Sequence, residues 1–203
     1  MAAAFSGIVL AGGLSKRLGT DKTLLEFGGQ TLLGLTVERL SKITSDIVIA
    51  CGAGPRPGWP DIPVEHATDR HGSRGPLAGL DAGLRAIGNQ GAIVVACDMP
   101  FLNPSLLRYM ATLLEDHDAV VPVVGGRRHA LHAAYSRRCL PFIEDLLVTG
   151  GSMRDLLARV DTWPLSESEV RGMDPEGHSC FNLNSPEDLR LARELWARET
   201  LPA

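Results

Sequence analysis

The sequence predicts a three-layer α/β/α sandwich with a mostly parallel, doubly wound sheet. Short apolar runs rich in Ile and Val alternate with helical patterns over the first 125 of the 203 residues, and this alternation is typical of βαβ units. One run, "AIVVA", is apolar throughout, as expected for a strand that is buried on both faces of a parallel sheet. A chain of this length suits one domain, which we expect to cover residues 1–203.

The first elements are predicted from short patterns. Residues 7–10 form an apolar first strand, and residues 11–21 follow as its loop. A helix is predicted over residues 31–42, because its leucines recur on one face. The apolar runs at residues 46–50 and 62–65 predict the second and third strands.

The later elements follow the same alternation. The last helix begins at "SPEDLRLARELWARE", with Ser185 as its N-cap, Pro186 at its first position and acidic residues in its first turn. The helices over 76–87 and 104–114 also begin with proline. The remaining predicted elements are strands at 92–96 and 119–124, a strand at 130–135 that could run antiparallel, and helices at 138–148 and 152–160.

Composition excludes several classes of protein. A net charge of -4 argues against non-specific binding to nucleic acid or to an anionic membrane. The cysteines, at positions 51, 97, 139 and 180, form no CxxC pair and have no histidines at zinc-binding spacing, so we expect reduced thiols and no structural metal. No apolar stretch approaches the ~20 residues of a membrane span, and the first residues lack the basic segment of a secretory signal. We therefore expect a cytoplasmic protein.

Glycines and cations follow the first predicted strand, in "IVLAGGLSKRLGTDK". Gly12 and Gly13 let backbone N–H groups approach an anion, and the side chains of Lys16, Arg17 and Lys22 could neutralise its charge. The spacing matches neither the dinucleotide fingerprint GxGxxG nor the P-loop GxxxxGK[ST]. The stretch is a candidate phosphate-binding loop, although a tight turn with surface cations would give the same pattern.

Other polar residues follow later strands, at the sheet edge where ligands of parallel sheets bind. Asp98 follows "AIVVA", where a carboxylate could hold Mg²⁺ or cap a turn. Asp69 and the glycine-containing residues 72–79 precede a helix, a natural place for a base, ribose or phosphate. Asn182 and Asn184 alternate, so their amides could bind a polar heterocycle together or cap the last helix.

Five motifs in chain order carry a resemblance to a known family: "LAGGLSKRLGTDKTLLEFGGQTLL", "GPLAGL", "CDMPFL", "RRHALHAAY" and "FNLNSPEDL". In these motifs, from about residue 7 to residue 191, the chain resembles the molybdenum cofactor guanylyltransferases, which are nucleotidyltransferases with a Rossmann-like sheet. The first motif is shared by the wider nucleotidyltransferase group, whereas "GPLAG" and "NxNxPED" narrow the resemblance to guanylyl transfer. Relatives that transfer a cytidylyl group usually read LAAG, so Gly12 favours guanine.

The resemblance implies a reaction in which the terminal phosphate of molybdopterin attacks the α-phosphate of GTP, with Mg²⁺ as cofactor and pyrophosphate as the second product. It implies GTP and molybdopterin as partners, and a transient contact with the machinery that inserts the finished cofactor. The residues that match the family's site are Leu10, Ala11, Gly12 and Gly13 around GTP, Lys22 on the triphosphate, Arg17 on the departing pyrophosphate, Asp69 near the nucleotide, Asp98 on Mg²⁺, and Asn182 and Asn184 on the pterin side.

The implied chemistry needs no general base, because the attacking phosphate is already an anion and catalysis is mostly positioning and charge neutralisation. His129 and His132 therefore need no catalytic role, and they could be ligand contacts or ordinary turn and strand residues. Two departures from the family pattern stand out: "ACGAG" where members often carry an asparagine after the second strand, and His129-Ala130 where the family usually has His-Pro.

Two other functions stay open at this point. One is a molybdopterin cytidylyltransferase or a sugar-phosphate nucleotidylyltransferase, which would use the same chemistry on other substrates. The other is a catalytically silent nucleotide-binding partner of another enzyme. The presence of both Lys22 and Asp98 speaks against the silent protein, because drift would be expected to remove them.

Overall fold

The computed structural model describes residues 4–13, 21–70, 72 and 74–200. Within these residues eight strands form one mixed sheet, and a hairpin of two further strands lies apart from it. The strands are β1 (Ser6–Leu10), β2 (Glu26–Phe27), β3 (Gln30–Thr31), β4 (Ile47–Ala50), β5 (Glu65–Ala67), β6 (Gly91–Ala96), β7 (Ala119–Val124), β8 (Arg127–Arg128), β9 (His132–Ser136) and β10 (Thr162–Leu165). The α-helices are α1 (Leu32–Ser41), α2 (Pro76–Ala86), α3 (Pro104–Leu113), α4 (Leu140–Thr149), α5 (Met153–Leu157), α6 (Glu167–Met173) and α7 (Pro186–Thr200).

The sheet is mostly parallel, with the strand order β10-β7-β9-β6-β1-β4-β5, and β8 pairs with β7 outside this order. β1 pairs in parallel with both β4 and β6, and β4 pairs in parallel with β5. β9 runs antiparallel to β6 and β7, as the sequence suggested for this run. Parallel strands end at one edge, so the segments that follow β1, β4, β5 and β6 all open onto the same side of the sheet.

The helices cover both faces of the sheet and complete the predicted three layers. Ile8 of β1 packs in a core cluster with residues of α2, α4 and α5. The next residue, Val9, packs in a second cluster with residues of α1, α3 and α6. Successive side chains of a strand point to opposite faces, so this alternation shows that β1 is buried on both sides.

Several predicted bounds are corrected by the structure. The strand predicted at residues 62–65 is instead Glu65–Ala67, because Pro63 cannot donate a backbone hydrogen bond and the side chains of Ile62 and Val64 pack on the core. The helix predicted at 152–160 is the shorter α5, and a 3₁₀ turn, Arg137–Cys139, precedes α4.

Five strands and α-helices of the described residues were not predicted. β10 contains Pro164, which an edge strand tolerates. β2 and β3 form a hairpin that turns at Gly28 and Gly29, whose φ angles of 61° and 85° favour glycine. The other two are the short strand β8 and the helix α6.

A third hydrophobic cluster joins α7 to the β2–β3 hairpin. Its buried members are Phe27, Leu32, Leu35, Phe101, Leu183 and Ala192, with Trp196 and Leu195 among the partly buried residues packed against them. We call this group the α7 cluster. It brings together segments that lie far apart in the sequence.

No helix within the described residues is long and apolar enough to cross a membrane.

Candidate functional site

A cleft of about 220 Å³ lies at the carboxyl edge of the sheet. The ends of β1 and β6 and the amino terminus of α2 line it, together with Leu131, which precedes β9. Six of the predicted site residues are among its lining residues: Leu10, Gly12, Gly13, Lys22, Asp69 and Asp98. The strand-end rule applied to the sequence therefore identified the part of the molecule where a cleft exists.

Lys22 contacts two other predicted site residues directly. Its Nζ atom lies 2.7 Å from Oδ2 of Asp98 and donates a hydrogen bond of 2.9 Å to Oδ1 of Asn184. Only 13% of the Lys22 side chain and 17% of the Asp98 side chain are exposed, so both side chains are mostly buried. The three residues form one polar group beside the cleft.

Three separate segments position this group. Lys22 begins a 3₁₀ turn, Lys22–Leu24, that Asp21 caps. Asp98 follows β6, and its backbone carbonyl accepts a hydrogen bond of 2.9 Å from the N–H of Leu183, the residue before Asn184. Leu183 is fully buried in the α7 cluster. The hydrophobic contacts of this cluster therefore hold the three segments side by side.

The glycine turn after β1 packs against the loop after β4. A Cβ atom on Gly12 would lie 3.0 Å from the Cα and N atoms of Gly52, and Gly52 has a φ of +67°. This close backbone approach requires glycine at both positions. The Gly52 carbonyl also accepts a hydrogen bond of 2.7 Å from the N–H of Asp69. The departure "ACGAG" thus has a structural role, because it joins the glycine turn to Asp69.

Ala11 and Asp69 differ in how they face the cleft. Ala11 is buried in the core and donates its N–H to the carbonyl of Ala50 at 2.9 Å, so that N–H is already used. Asp69 lines the cleft, and its Oδ1 atom is buried with no hydrogen-bond partner among the described residues. Burial, and to a lesser extent the charge of Asp81, raises the pKa of Asp69. A buried acceptor that lacks a partner is a candidate contact for a ligand donor.

Arg56 is a charged residue of this region that the sequence analysis did not identify. Its guanidinium donates a hydrogen bond of 2.7 Å to Oδ2 of Asp21 and one of 3.1 Å to the carbonyl of Gly13. Pro55 and Pro57 flank it in the loop that follows β4. An arginine between two prolines, in a loop at the ligand edge of a parallel sheet, was the signal that could have found it.

The two asparagines of "FNLNSPED" have different surroundings. The amide of Asn184 binds Lys22, whereas the side-chain oxygen of Asn182 is buried with no hydrogen-bond partner among the described residues. Neither amide side chain caps α7. Ser185 and Asp188 form the cap, with the Asp188 N–H donating to Ser185 Oγ at 3.1 Å and the Ser185 N–H donating to Asp188 Oδ2 at 2.8 Å.

Of two further side chains near the site, Cys97 lines the cleft and His132 does not. His132 is fully buried in β9, where its Nε2 atom lies 2.7 Å from Oγ of Ser179. Burial raises the pKa of Cys97 to about 12, so this thiol, although beside Asp98, is no nucleophile near neutral pH. Lys16 and Arg17 lie outside the described residues.

The burial of His132 predicts a loss of stability in acid. Burial lowers the pKa of His132 from 6.5 to about 4, so between these values the unfolded chain binds a proton that the folded protein excludes. Stability should therefore fall as the pH drops from about 6.5 towards 4, and this residue should account for about 3 kcal/mol of the loss. Urea unfolding at several pH values measures the effect.

Two variants control this measurement. His132→Gln, which cannot take up a proton, should unfold with a shallower acid dependence than the native protein. His66→Gln, a matched change at an exposed position of β5, should keep the native dependence. Parallel curves for the native protein and His132→Gln would contradict the assignment.

Comparisons with known proteins give a consistent result. A family model for MobA-like NTP transferase domains matches residues 7–163. The chain is 35% identical over 198 residues to a probable molybdenum cofactor guanylyltransferase from Pelotomaculum thermopropionicum, covering 93% of this chain and 91% of that protein. It is 34% identical over 193 residues to a molybdenum cofactor guanylyltransferase from Desulfosudis oleivorans, covering 93% of this chain and 94% of that protein.

The fold is also similar to a solved structure. The crystal structure of molybdopterin-guanine dinucleotide biosynthesis protein A from Archaeoglobus fulgidus superimposes with a TM-score of 0.82 at 26% sequence identity. The match covers 96% of this chain and 100% of that one.

Proposed function

The chain belongs to the family of MobA-like NTP transferase domains, and we propose that it transfers a guanylyl group from GTP to the terminal phosphate of molybdopterin, with release of pyrophosphate. The observation that carries this proposal is the contact of Lys22 with Asp98 and Asn184 beside a cleft that Gly12 and Gly13 also line. A cation, a carboxylate and a glycine turn in one cleft suit a triphosphate and its metal ion.

A divalent metal fits this cleft through Asp98. Mg²⁺ keeps several waters and binds proteins through one or two carboxylates together with substrate phosphates, so a single strand-end carboxylate is sufficient. Within the described residues no group of three or more His, Cys, Asp or Glu side chains could form a closed metal site. When bound, the ion would neutralise phosphate charge and polarise the α-phosphate.

The residues of the chain supply positioning and charge. Lys22 would neutralise the triphosphate, and the glycine turn would let the nucleotide approach the backbone closely. Arg17 would hold the departing pyrophosphate, and Asn182 and Asn184 would face the pterin. No residue needs to accept a proton from the nucleophile, because the acceptor phosphate is already ionised.

Asp69 supports guanine as the base. Guanine presents two adjacent donors, the ring N1–H and the 2-amino group, which match the two oxygens of a carboxylate. Cytosine presents only one donor, its 4-amino group, next to an acceptor nitrogen. The buried Oδ1 atom of Asp69 has no partner among the described residues, so it can take one of the guanine donors.

The function is tested by measuring pyrophosphate release with each of the four nucleoside triphosphates, Mg²⁺, and either molybdopterin or a sugar 1-phosphate. We expect release with GTP and molybdopterin, and product with the mass of the guanine dinucleotide. Release with CTP and molybdopterin, or with a sugar 1-phosphate, would establish the alternative substrates. No release with any pair would establish a silent nucleotide-binding protein.

The role of Asp69 is tested with ITP, which lacks the 2-amino group of GTP. The native protein should prefer GTP to ITP by about tenfold in kcat/KM, since one hydrogen bond to a charged acceptor is lost with ITP. Asp69→Asn should lose most of this preference, because an amide offers only one acceptor oxygen. Equal discrimination by the native protein and the variant would show that the base is selected elsewhere.

A further inference from the structure

We propose that Arg56 is a positioning residue for nucleotide binding, which fixes Lys22 relative to the glycine turn without contacting the nucleotide itself. This proposal rests on the nucleotidyl-transfer function proposed above. It deepens that function, because it assigns a role in the cleft to the loop that follows β4.

The guanidinium of Arg56 joins two parts of the site. One N–H group binds the carbonyl of Gly13, on the cleft wall, and the other binds Asp21, the residue before Lys22. The planar fork of arginine makes both bonds at once. The distance between the glycine turn and the start of the Lys22 turn is therefore set by one rigid group.

Asp21 transmits this constraint to Lys22. Its Oδ1 atom accepts hydrogen bonds of 3.0 Å from the Thr23 N–H and 2.7 Å from the Thr23 hydroxyl, which fixes the turn in which Lys22 lies. Burial disfavours the charge of Asp21, but the hydrogen bonds from Arg56 and Thr23 outweigh it and lower the pKa of this carboxyl group. Asp21 therefore stays ionised and paired at neutral pH.

The loop itself is built to hold Arg56 still. Pro55 and Pro57 restrict the backbone on both sides of it. The guanidinium lies 5.9 Å from the ring centroid of Trp59, whose Nε1–H donates a hydrogen bond of 2.7 Å to the Thr23 hydroxyl. Two residues of one loop thus reach the same turn, so the arrangement does not depend on a single exposed ion pair.

The test compares Mg²⁺–GTP binding, by calorimetry, and steady-state kinetics in five variants and the native chain. Arg56→Gln should raise the dissociation constant and KM for GTP about tenfold, the usual scale for losing charge-assisted hydrogen bonds, and should lower kcat by less than about tenfold, because Lys22 is displaced but still present. Arg56→Lys keeps the charge but cannot make both bonds, so its dissociation constant for GTP should lie between those of the native chain and Arg56→Gln. Asp21→Asn should resemble Arg56→Gln.

The double variant Asp21→Asn with Arg56→Gln separates positioning from direct contact. If Arg56 acts through Asp21, the double variant binds GTP no more weakly than either single variant. Additive losses, or tighter binding in Asp21→Asn because it frees the arginine for phosphate, would overturn the proposal.

Arg159→Gln is the matched control, because it removes an exposed ion pair between Arg159, in the turn after α5, and Asp145 of α4. It should leave GTP binding unchanged. Equal small losses of melting temperature in Arg56→Gln and Arg159→Gln, with native GTP affinity in both, would make Arg56 merely structural and overturn the proposal. The binding readout does not depend on the acceptor: a native chain that binds GTP without turnover refutes the proposed reaction alone, and one that binds no nucleotide refutes both proposals.

Discussion

Replacing Asp98 with asparagine is expected to lower turnover about a thousandfold, because it removes the carboxylate proposed to hold the metal ion. The change keeps the shape of the side chain, and an amide oxygen can still accept a hydrogen bond from Lys22, so the fold should be retained. Steady-state pyrophosphate release with GTP, measured over a range of Mg²⁺ concentrations, gives the effect. The residual activity should require more Mg²⁺ than that of the native protein.

Stability and a distant variant control this result. The Asp98 side chain is mostly buried against Lys22, so breaking their charge pairing should cost some stability, which melting curves will measure. Asp145→Asn, the same substitution at an exposed ion pair whose residues do not line the cleft, should turn over normally. The assignment would be contradicted if Asp98→Asn turned over within about tenfold of the native rate at an unchanged Mg²⁺ requirement. Asp98 would then have only the structural role of stabilising a turn.

Replacing Lys22 with methionine is expected to have the second large effect on turnover. Methionine fills the space of the lysine chain without its charge, so the triphosphate loses a cation and Asp98 loses its partner. The value of kcat/KM should fall about a hundredfold to a thousandfold. Most of this loss should be in kcat, because the lysine is expected to neutralise charge that develops as pyrophosphate leaves.

A second lysine provides the comparison for this variant. Lys42→Met removes a half-exposed lysine that pairs with Glu38 at the end of α1, and it should leave turnover unchanged. Native activity in Lys22→Met would mean that the lysine is structural, held by Asp98 and Asn184 for the sake of the fold alone.

The sequence predicted the layers, and the edge of the sheet where six of the candidate residues line a cleft, for clear physical reasons. Strands buried on both faces read as unbroken apolar runs, and parallel strands deliver their following residues to one edge. Asp98 and Lys22 could therefore be expected in the same cleft. Their direct contact could not be predicted, because it depends on how Leu183 and Phe101 pack in the α7 cluster. The contact between Lys22 and Asn184 likewise joins residues that are 162 positions apart in the sequence.

Arg56 and β10 were missed because neither belongs to a periodic pattern. A lone arginine in a loop has no periodicity, and its partner Asp21 is 35 residues away. β10 is short and contains Pro164, which argues against a strand unless its place at the sheet edge is known. That Oδ1 of Asp69 has no hydrogen-bond partner among the described residues is likewise a property of the packed chain and cannot be read from residue types.

The α7 cluster has a consequence for the order in which the protein is made. Synthesis from the amino terminus delivers every strand of the sheet before Leu183 and Trp196. The hydrophobic contacts that hold Lys22, Asp98 and Asn184 together can therefore close only after residues 183–196 have been synthesised. A shorter nascent chain already has the strands of the sheet and the residues that line the cleft, but it lacks Asn184 and the packing that places Asn184 against Lys22.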